Sequence, residues 1–314
     1  MEAIQIHGLT KYYGDIRGIE NLSLQVKEGA FFGFIGPNGA GKSTTIRTLL
    51  GLIKATSGQA EILGMDFMKD RVKIMKDTGY LPSEVQLYGH LNGRELLEYT
   101  AKFYGKVDHK RIKTLSDWFE FDLTRPIDDL SFGNKKKIGI IQALIHRPKL
   151  LIMDEPTGGL DPLMQARFFE LLREENDKGT SIFFSSHTLG EVQRHCKEVA
   201  VIRSGRILEV STVDKLREKQ LKKVRMRLQE RADFKEVFYA QMKEVGVYNI
   251  KVEKDIYTFD FDGNYQDLFK NLSKWDVRGF TMEEPSLEEI FMHYYNQSGD
   301  APRHLVDKAV DHES

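Results

Sequence analysis

Apolar and polar positions alternate in short runs at the start of the chain and settle into a longer period further on. Ala3–Leu9, Asn21–Val26 and Phe31–Ile35 predict strands, and the third leads through a glycine-rich loop into Lys42–Leu52, whose apolar residues recur at helical spacing. Gln59–Leu63 and Thr78–Leu81 predict two more strands. From Gly93 to His146 the helical period dominates, with Leu96, Leu97, Thr100, Ala101 and Tyr104 on one face. Strand and helix then alternate through Leu150–Met153, Pro162–Asn176, Ser181–Ser185, Leu189–His195 and Ala200–Arg203. That alternation predicts an α/β domain with a largely parallel sheet flanked by helices, and the stretch at about 93–146 reads as a helical subdomain inserted into it.

A second pattern begins near Thr212. Strand Lys223–Leu228, helix Asp233–Glu244, strands Ile250–Val252 and Tyr257–Phe261, helix Tyr265–Leu272, strand Val277–Met282 and helix Ser286–Tyr295 follow in turn. The order is that of a small α+β domain of split βαβ type. The expected division is residues 1–211, residues 212–296 and a polar, flexible tail at 297–314. There is no internal repeat and no low-complexity tract.

Composition narrows the function. With 40% hydrophobic and 30% charged residues in 314, the chain can bury a core and has the length of about two domains. A formal net charge of −1 gives no overall field toward nucleic acid, so no nucleic-acid partner is expected. One cysteine, Cys196, cannot form an internal disulfide; it fits a reducing cytoplasm and reads as a partly buried small residue. The N-terminus MEAIQIHGLTKYYG lacks the basic and apolar regions of a secretory signal. No run approaches the roughly 20 apolar residues that cross a bilayer, so any membrane role requires another polypeptide.

Chemistry concentrates in the loop after Phe31–Ile35. Gly36-Pro37-Asn38-Gly39-Ala40-Gly41-Lys42-Ser43, followed by Thr44, satisfies the phosphate-loop pattern in the required strand–loop–helix setting. Glycines let the backbone curl so that successive N–H groups point at phosphate oxygens, and the helix N-terminus adds positive potential. Lys42 would place a charge between the β- and γ-phosphates, and the Ser43 hydroxyl would ligate Mg²⁺. The apolar strand Leu150–Met153 delivers two carboxylates: Asp154 to hold Mg²⁺ directly or through water, and Glu155 as general base or water-positioning group. His187 follows the strand Ser181–Ser185. A lone histidine is more often solvated or buried for packing, but at this sheet edge it can donate to the γ-phosphate and orient the attacking water.

With these elements in order, residues 3–211 resemble the ATP-binding subunits of ABC transporters. Leu130-Ser131-Phe132-Gly133-Asn134, just before the Asp154 strand, looks like that family's signature loop. The resemblance implies a P-loop NTPase cassette of the ABC type. In it Ser131 and the Gly133 backbone of one subunit contact the γ-phosphate held by another, so the site is completed only in a homodimer or a heterodimer with a second ATP-binding subunit. Gly158-Gly159-Leu160-Asp161 resembles the D-loop that crosses that interface, and Tyr13, rather than Tyr12, takes the place of the aromatic ring under adenine. It also implies bound ATP and Mg²⁺, an integral membrane permease as partner, and a peripheral place on the cytoplasmic face of the membrane. A soluble or regulatory ABC ATPase not coupled to transport is the alternative.

Two departures from the family pattern bear on the chemistry. Phe132 and Asn134 stand where the signature has glycine and glutamine, so packing around that loop must differ. After Tyr80-Leu81-Pro82, where the family places a glutamine that reaches the metal, this chain has Ser83 and then Glu84; a water bridge from Ser83 and substitution by Glu84 both stay open. Lys135-Lys136-Lys137 reads as a solvated basic turn. Leu87, Tyr88, Tyr99, Phe103 and Tyr104 form either helical core or the seat of a coupling helix from the membrane subunit. Finally, Glu284–Phe291 resembles the closing segment of the subunits serving drug, peptide-antibiotic, sodium and polysaccharide exporters (ABC-2 type), and Leu287, Ile290, Phe291, Tyr294 and Tyr295 recur there as a packing face. This resemblance points to export.

Overall fold

The computed structural model describes residues 1–105, 107–218, 222–228, 238–239, 241–242 and 245–283. The chain divides into two compact units, Met1–Val213 and Asp214–Ser314.

The first unit opens with a hairpin, β1 (Glu2–Tyr13) and β2 (Ile16–Lys27). Both strands run further than their apolar patterns suggest. The two-residue turn at Gly14, where φ is 60°, sets Tyr13 opposite Ile16 and pairs the polar ends as well. β4 (Ser57–Ile62) and the short β5 (Met65–Asp66) complete an antiparallel sheet in the order β2-β1-β4-β5.

A second sheet of six strands has the order β10-β9-β3-β8-β7-β6. β3 (Phe31–Ile35), β6 (Thr78–Leu81), β7 (Leu150–Asp154), β8 (Ser181–Ser186) and β9 (Glu198–Arg203) run parallel, and β10 (Arg206–Thr212) closes one edge antiparallel. Every residue of β3, β7 and β8 is buried, which is why these strands read as continuous apolar runs rather than alternations. The core cluster joins both sheets to α1 (Lys42–Leu49) and α2 (Arg71–Asp77). At its centre Phe183 stacks on Phe32 at 5.9 Å between ring centroids and tilts against Phe34 at 5.3 Å. Helix α1 ends earlier than Lys42–Leu52 because Gly51 takes φ 63° and the chain turns.

Between β6 and β7 lie α3 (Gly93–Lys102), α4 (His109–Trp118) and α5 (Phe132–Leu144). A capping box between Asn92 and Glu95 starts α3, whose buried residues include Leu96, Leu97 and Ala101. Gln142 on α5 donates to Thr100 on α3 at 2.9 Å. Arg111 on α4 forms a buried ion pair, 3.0 Å long, with Glu175 on α6 (Pro162–Asp177). Helices α7 (Leu189–His195) and α8 (Val213–Glu218) follow in the chain. Cys196 is buried next to the end of α7, and burial raises its thiol pKa well above the ordinary value. No helix among the described residues is long and apolar enough to cross a membrane.

In the second unit, β11 (Lys222–Leu228), β12 (Val247–Glu253), β13 (Ile256–Phe261) and β14 (Val277–Glu283) form an antiparallel sheet in the order β12-β13-β11-β14. Inserting β13 between β11 and β12 is the split βαβ arrangement that the element order suggests. Helix α9 (Tyr265–Leu272) buries Leu268 and Leu272 in a core with Val224, Phe238, Tyr257 and Phe259. Of the helix expected at Asp233–Glu244, residues 238–239 and 241–242 are described and are helical. The Glu284–Phe291 motif, the helix expected at Ser286–Tyr295 and the tail at 297–314 lie outside the described residues.

The aromatic stack gives a direct test of the core. Phe183→Ala should cost about 3–5 kcal/mol of stability, read as a fall in the urea midpoint of the first unit at unchanged m-value.

Candidate functional site

The ends of four parallel strands lie side by side. In register, Leu81 pairs with Met153, Asp154 with Ser185, and Ile35 with Ser186. The loops that leave β6, β3, β7 and β8 therefore emerge along one sheet edge, the crevice where open α/β sheets hold ligands. The sequence-assigned groups Gly36–Thr44, Ser83, Asp154, Glu155 and His187 all stand at these strand ends, on the loops that leave them or on the start of α1.

The loop after β3 is shaped by close backbone contacts. A Cβ on Gly36 would lie 2.2 Å from the carbonyl oxygen of Ile202, so only glycine fits there. Gly39 and Gly41 have φ of 77° and 107°, which favours glycine at both places. Ala40 N donates to Pro37 O at 3.1 Å and tightens the curl around Asn38. Gly41 caps α1 without a side-chain hydrogen bond and no acidic residue occupies the first turn, so the amides after it, at Lys42, Ser43 and Thr44, present their positive end to the edge.

Lys42 is 4% exposed, and its ammonium donates to Gly36 O at 2.7 Å and Pro37 O at 3.1 Å. The same Nζ lies 3.1 Å from Oε1 of Glu155. The other carboxylate oxygen of Glu155 lies 3.2 Å from Nδ1 of His187. Lys42, Glu155 and His187 thus form one connected line. Glu155 sits at φ 47°, a left-handed conformation that costs a non-glycine residue about 1–3 kcal/mol and turns its side chain out of the strand direction. Its N–H is held by Ser185, with the carbonyl oxygen at 3.2 Å and Oγ at 3.1 Å.

Asp154 is fully buried. Its Oδ1 accepts from Ser185 Oγ at 2.7 Å, whereas Oδ2 is buried with no hydrogen-bond partner. A buried carboxylate oxygen left open in this way is suited to a cation. The described residues contain no cluster of three His, Cys, Asp or Glu side chains able to hold a metal by themselves. Further ligands would have to be hydroxyls, such as that of Ser43, or oxygens of a bound phosphate. Ser185 holds the carboxylate of Asp154 and the backbone N–H of Glu155, and sequence reading missed it. Its place in the last residues of an apolar strand was the available signal.

Tyr13 is 47% exposed, with the Lys11 ammonium 4.9 Å from its ring centroid. Its Cε2 and Cγ2 of Thr44 both lie 3.0 Å from where a Cβ on Gly18 would be, so the ring borders the start of α1. The Tyr12 hydroxyl is instead engaged with Glu20.

Ser131 caps α5, accepting from Asn134 N at 3.4 Å, and Asp161 caps α6, accepting from Met164 N at 3.0 Å. The unusual Phe132 has a definite neighbour. A Cβ on Gly159, where φ is 81°, would lie 2.3 Å from its ring, and one on Gly133 would lie 2.8 Å from Gly159 O. The ring rests where a side chain at 159 would project, so the start of α5 and the loop at 158–161 interlock within one chain.

One expectation changes and one open choice narrows. Lys135-Lys136-Lys137 is not a solvated basic turn: Lys136 is 1% exposed and donates to Ser83 O at 2.9 Å and Pro82 O at 3.2 Å. Burial lowers its pKa to about 8, against the opposing pull of Asp154 and Glu155. The helical row Lys136–Ile140–Ala143 on the buried face of α5 carried that information. Of the aromatic set, Tyr88, Tyr99 and Phe103 are exposed rather than core, and they meet edge to face at 5.9 and 5.1 Å, while Tyr104 stacks on His146.

Residues 19–158 match the ABC transporter family, and residues 208–295 match the family described as ATP-binding protein DrrA1-3-like, C-terminal domain. The chain is 35% identical over 300 residues to the bacitracin transport ATP-binding protein BcrA of Bacillus licheniformis, covering 92% of this chain and 96% of that one. It is 35% identical over 214 residues to the linearmycin resistance ATP-binding protein LnrL of Bacillus subtilis (strain 168), covering 67% and 69%. The dimeric structure of a bacterial ABC transporter cassette superposes with a TM-score of 0.62 at 25% identity, over 67% of this chain and 98% of that one. A phosphate-binding loop facing an ordered pair of carboxylates, and kinship over nearly the whole length, lead to one conclusion: the chain belongs to the ABC transporter family, as an ATP-binding, ATP-hydrolysing subunit.

Proposed function

We propose that this subunit drives export through an integral membrane permease, closing on a second ATP-binding subunit with MgATP held between them. The partner ATPase is a second copy or a different chain, and the assembly lies on the cytoplasmic face of the membrane. The observation that carries the mechanism is the unbroken line Lys42–Glu155–His187 beside the open oxygen of Asp154. Relatives named for bacitracin transport and linearmycin resistance support the outward direction, since clearing an antibiotic from the cell confers resistance.

In this reading the amides of Gly36–Thr44 hold the phosphates and Lys42 turns its ammonium from carbonyls to phosphate oxygens. Bound Mg²⁺, held by Ser43 and Asp154 with Ser83 nearby, would neutralise charge on the phosphates. Glu155 takes a proton from the attacking water as its oxygen bonds to the γ-phosphorus and the bond to the bridging oxygen breaks, releasing ADP. His187 steadies Glu155 and donates to the transferred group. Tyr13 stacks on adenine, and Ser131, Gly133 and Asp161 complete the neighbouring subunit's site. Tyr88, Tyr99 and Phe103 form an exposed aromatic seat for a helix of the permease.

Glu155→Gln keeps the size of the side chain and removes its basicity. Phosphate release should fall by about 10²–10³ while ATP still binds, and size-exclusion chromatography with MgATP should show an accumulated dimer. Ser185→Ala frees Oδ1 of Asp154 without touching the phosphate loop. Its half-maximal Mg²⁺ concentration for turnover should rise by about 10-fold, measured by titrating Mg²⁺ at saturating ATP.

A further inference from the structure

Lys136 is a buried ammonium whose hydrogen bonds go to backbone carbonyls, and among the described residues no carboxylate lies within ion-pair distance of it. Burying a charge without a counter-charge is costly, so the arrangement demands a reason. Its position suggests one. Pro82 and Ser83 directly follow β6, whose last residue, Leu81, pairs with Met153, the residue before Asp154. Lys136 itself lies on the second turn of α5, close behind the cap at Ser131. One side chain therefore ties the helix carrying Ser131 and Gly133 to the segment that enters the hydrolytic edge at Ser83. Burial lowers the Lys136 pKa while Asp154 and Glu155 both raise it, so the ammonium lies in the field of the two carboxylates.

We propose that Lys136 is a positioning residue for ATP hydrolysis: by gripping the carbonyls of Pro82 and Ser83 it fixes the Ser83 segment against Asp154 and Glu155 and makes α5 move with it. The ammonium reaches no nucleotide in this scheme and acts only through the segment it holds. The proposal rests on the assignment of Asp154 and Glu155 made above.

The test uses the full-length chain with MgATP. Lys136→Met keeps about the same length and loses the charge and both hydrogen bonds. Its kcat should fall by about 10–100-fold while KM for ATP stays within about twofold, because the phosphate loop is untouched. Lys136→Arg, which retains charge and donors, should recover kcat to within about threefold of the parent. The proposal is overturned if Lys136→Met turns over within about twofold of the parent. It is equally overturned if Lys136→Arg is as slow as Lys136→Met, or if KM and the melting temperature collapse along with kcat, which is the mark of a purely structural role. Should Lys136→Met not fold, Lys136→Gln, a neutral donor, is judged by the same criteria. Glu155→Gln assayed in parallel separates two failures. Full turnover there refutes the carboxylate assignment, whereas a dead Glu155→Gln beside a fast Lys136→Met refutes only the role of Lys136.

Discussion

A strand buried on both faces has no solvated side on which to carry charge. β3, β7 and β8 are buried from end to end, so the polar chemistry of this sheet is driven to the strand termini and the loops beyond them. Parallel direction then brings those termini to one edge. Asp154, the last residue of β7, shows the constraint at its limit: fully buried, with one oxygen satisfied by a neighbouring strand and the other left open. The phosphate loop, Glu155 and His187 face one another because the strands that deliver them share a direction.

Local features of the site were legible in the sequence. The phosphate loop has fixed spacing, and its glycines are demanded by backbone contacts and positive φ within a few residues of one another. The apolar runs of β3, β7 and β8 likewise announced themselves, as did the element order of the second unit. What escaped were features set by groups far apart in the chain. Ser185 acts on residues 31 and 30 positions earlier. By charge Lys136 reads as one of three exposed lysines, although its helical row is apolar on either side. The hairpin ends of β1 and β2 escaped for a related reason, since pairing across Gly14 extends strands that burial alone would have ended.

The aromatic residues divide by what surrounds them rather than by type. Phe32, Phe34 and Phe183 fill the space between the two sheets and hold the phosphate loop's strand in place. Tyr88, Tyr99 and Phe103 form an equally ordered edge-to-face set that stays exposed. Exposing such a cluster is unfavourable for an isolated chain, which is the ground for proposing it as the permease's seat.

The contact between Phe132 and Gly159 also bears on how this chain can vary over generations. The ring rests in space that any other residue at 159 would claim, so a change at either position alters what is tolerated at the other. With glycine at 132, the requirement at 159 would reduce to its left-handed backbone, which asparagine also satisfies. The two positions are one steric choice shared between distant parts of the chain.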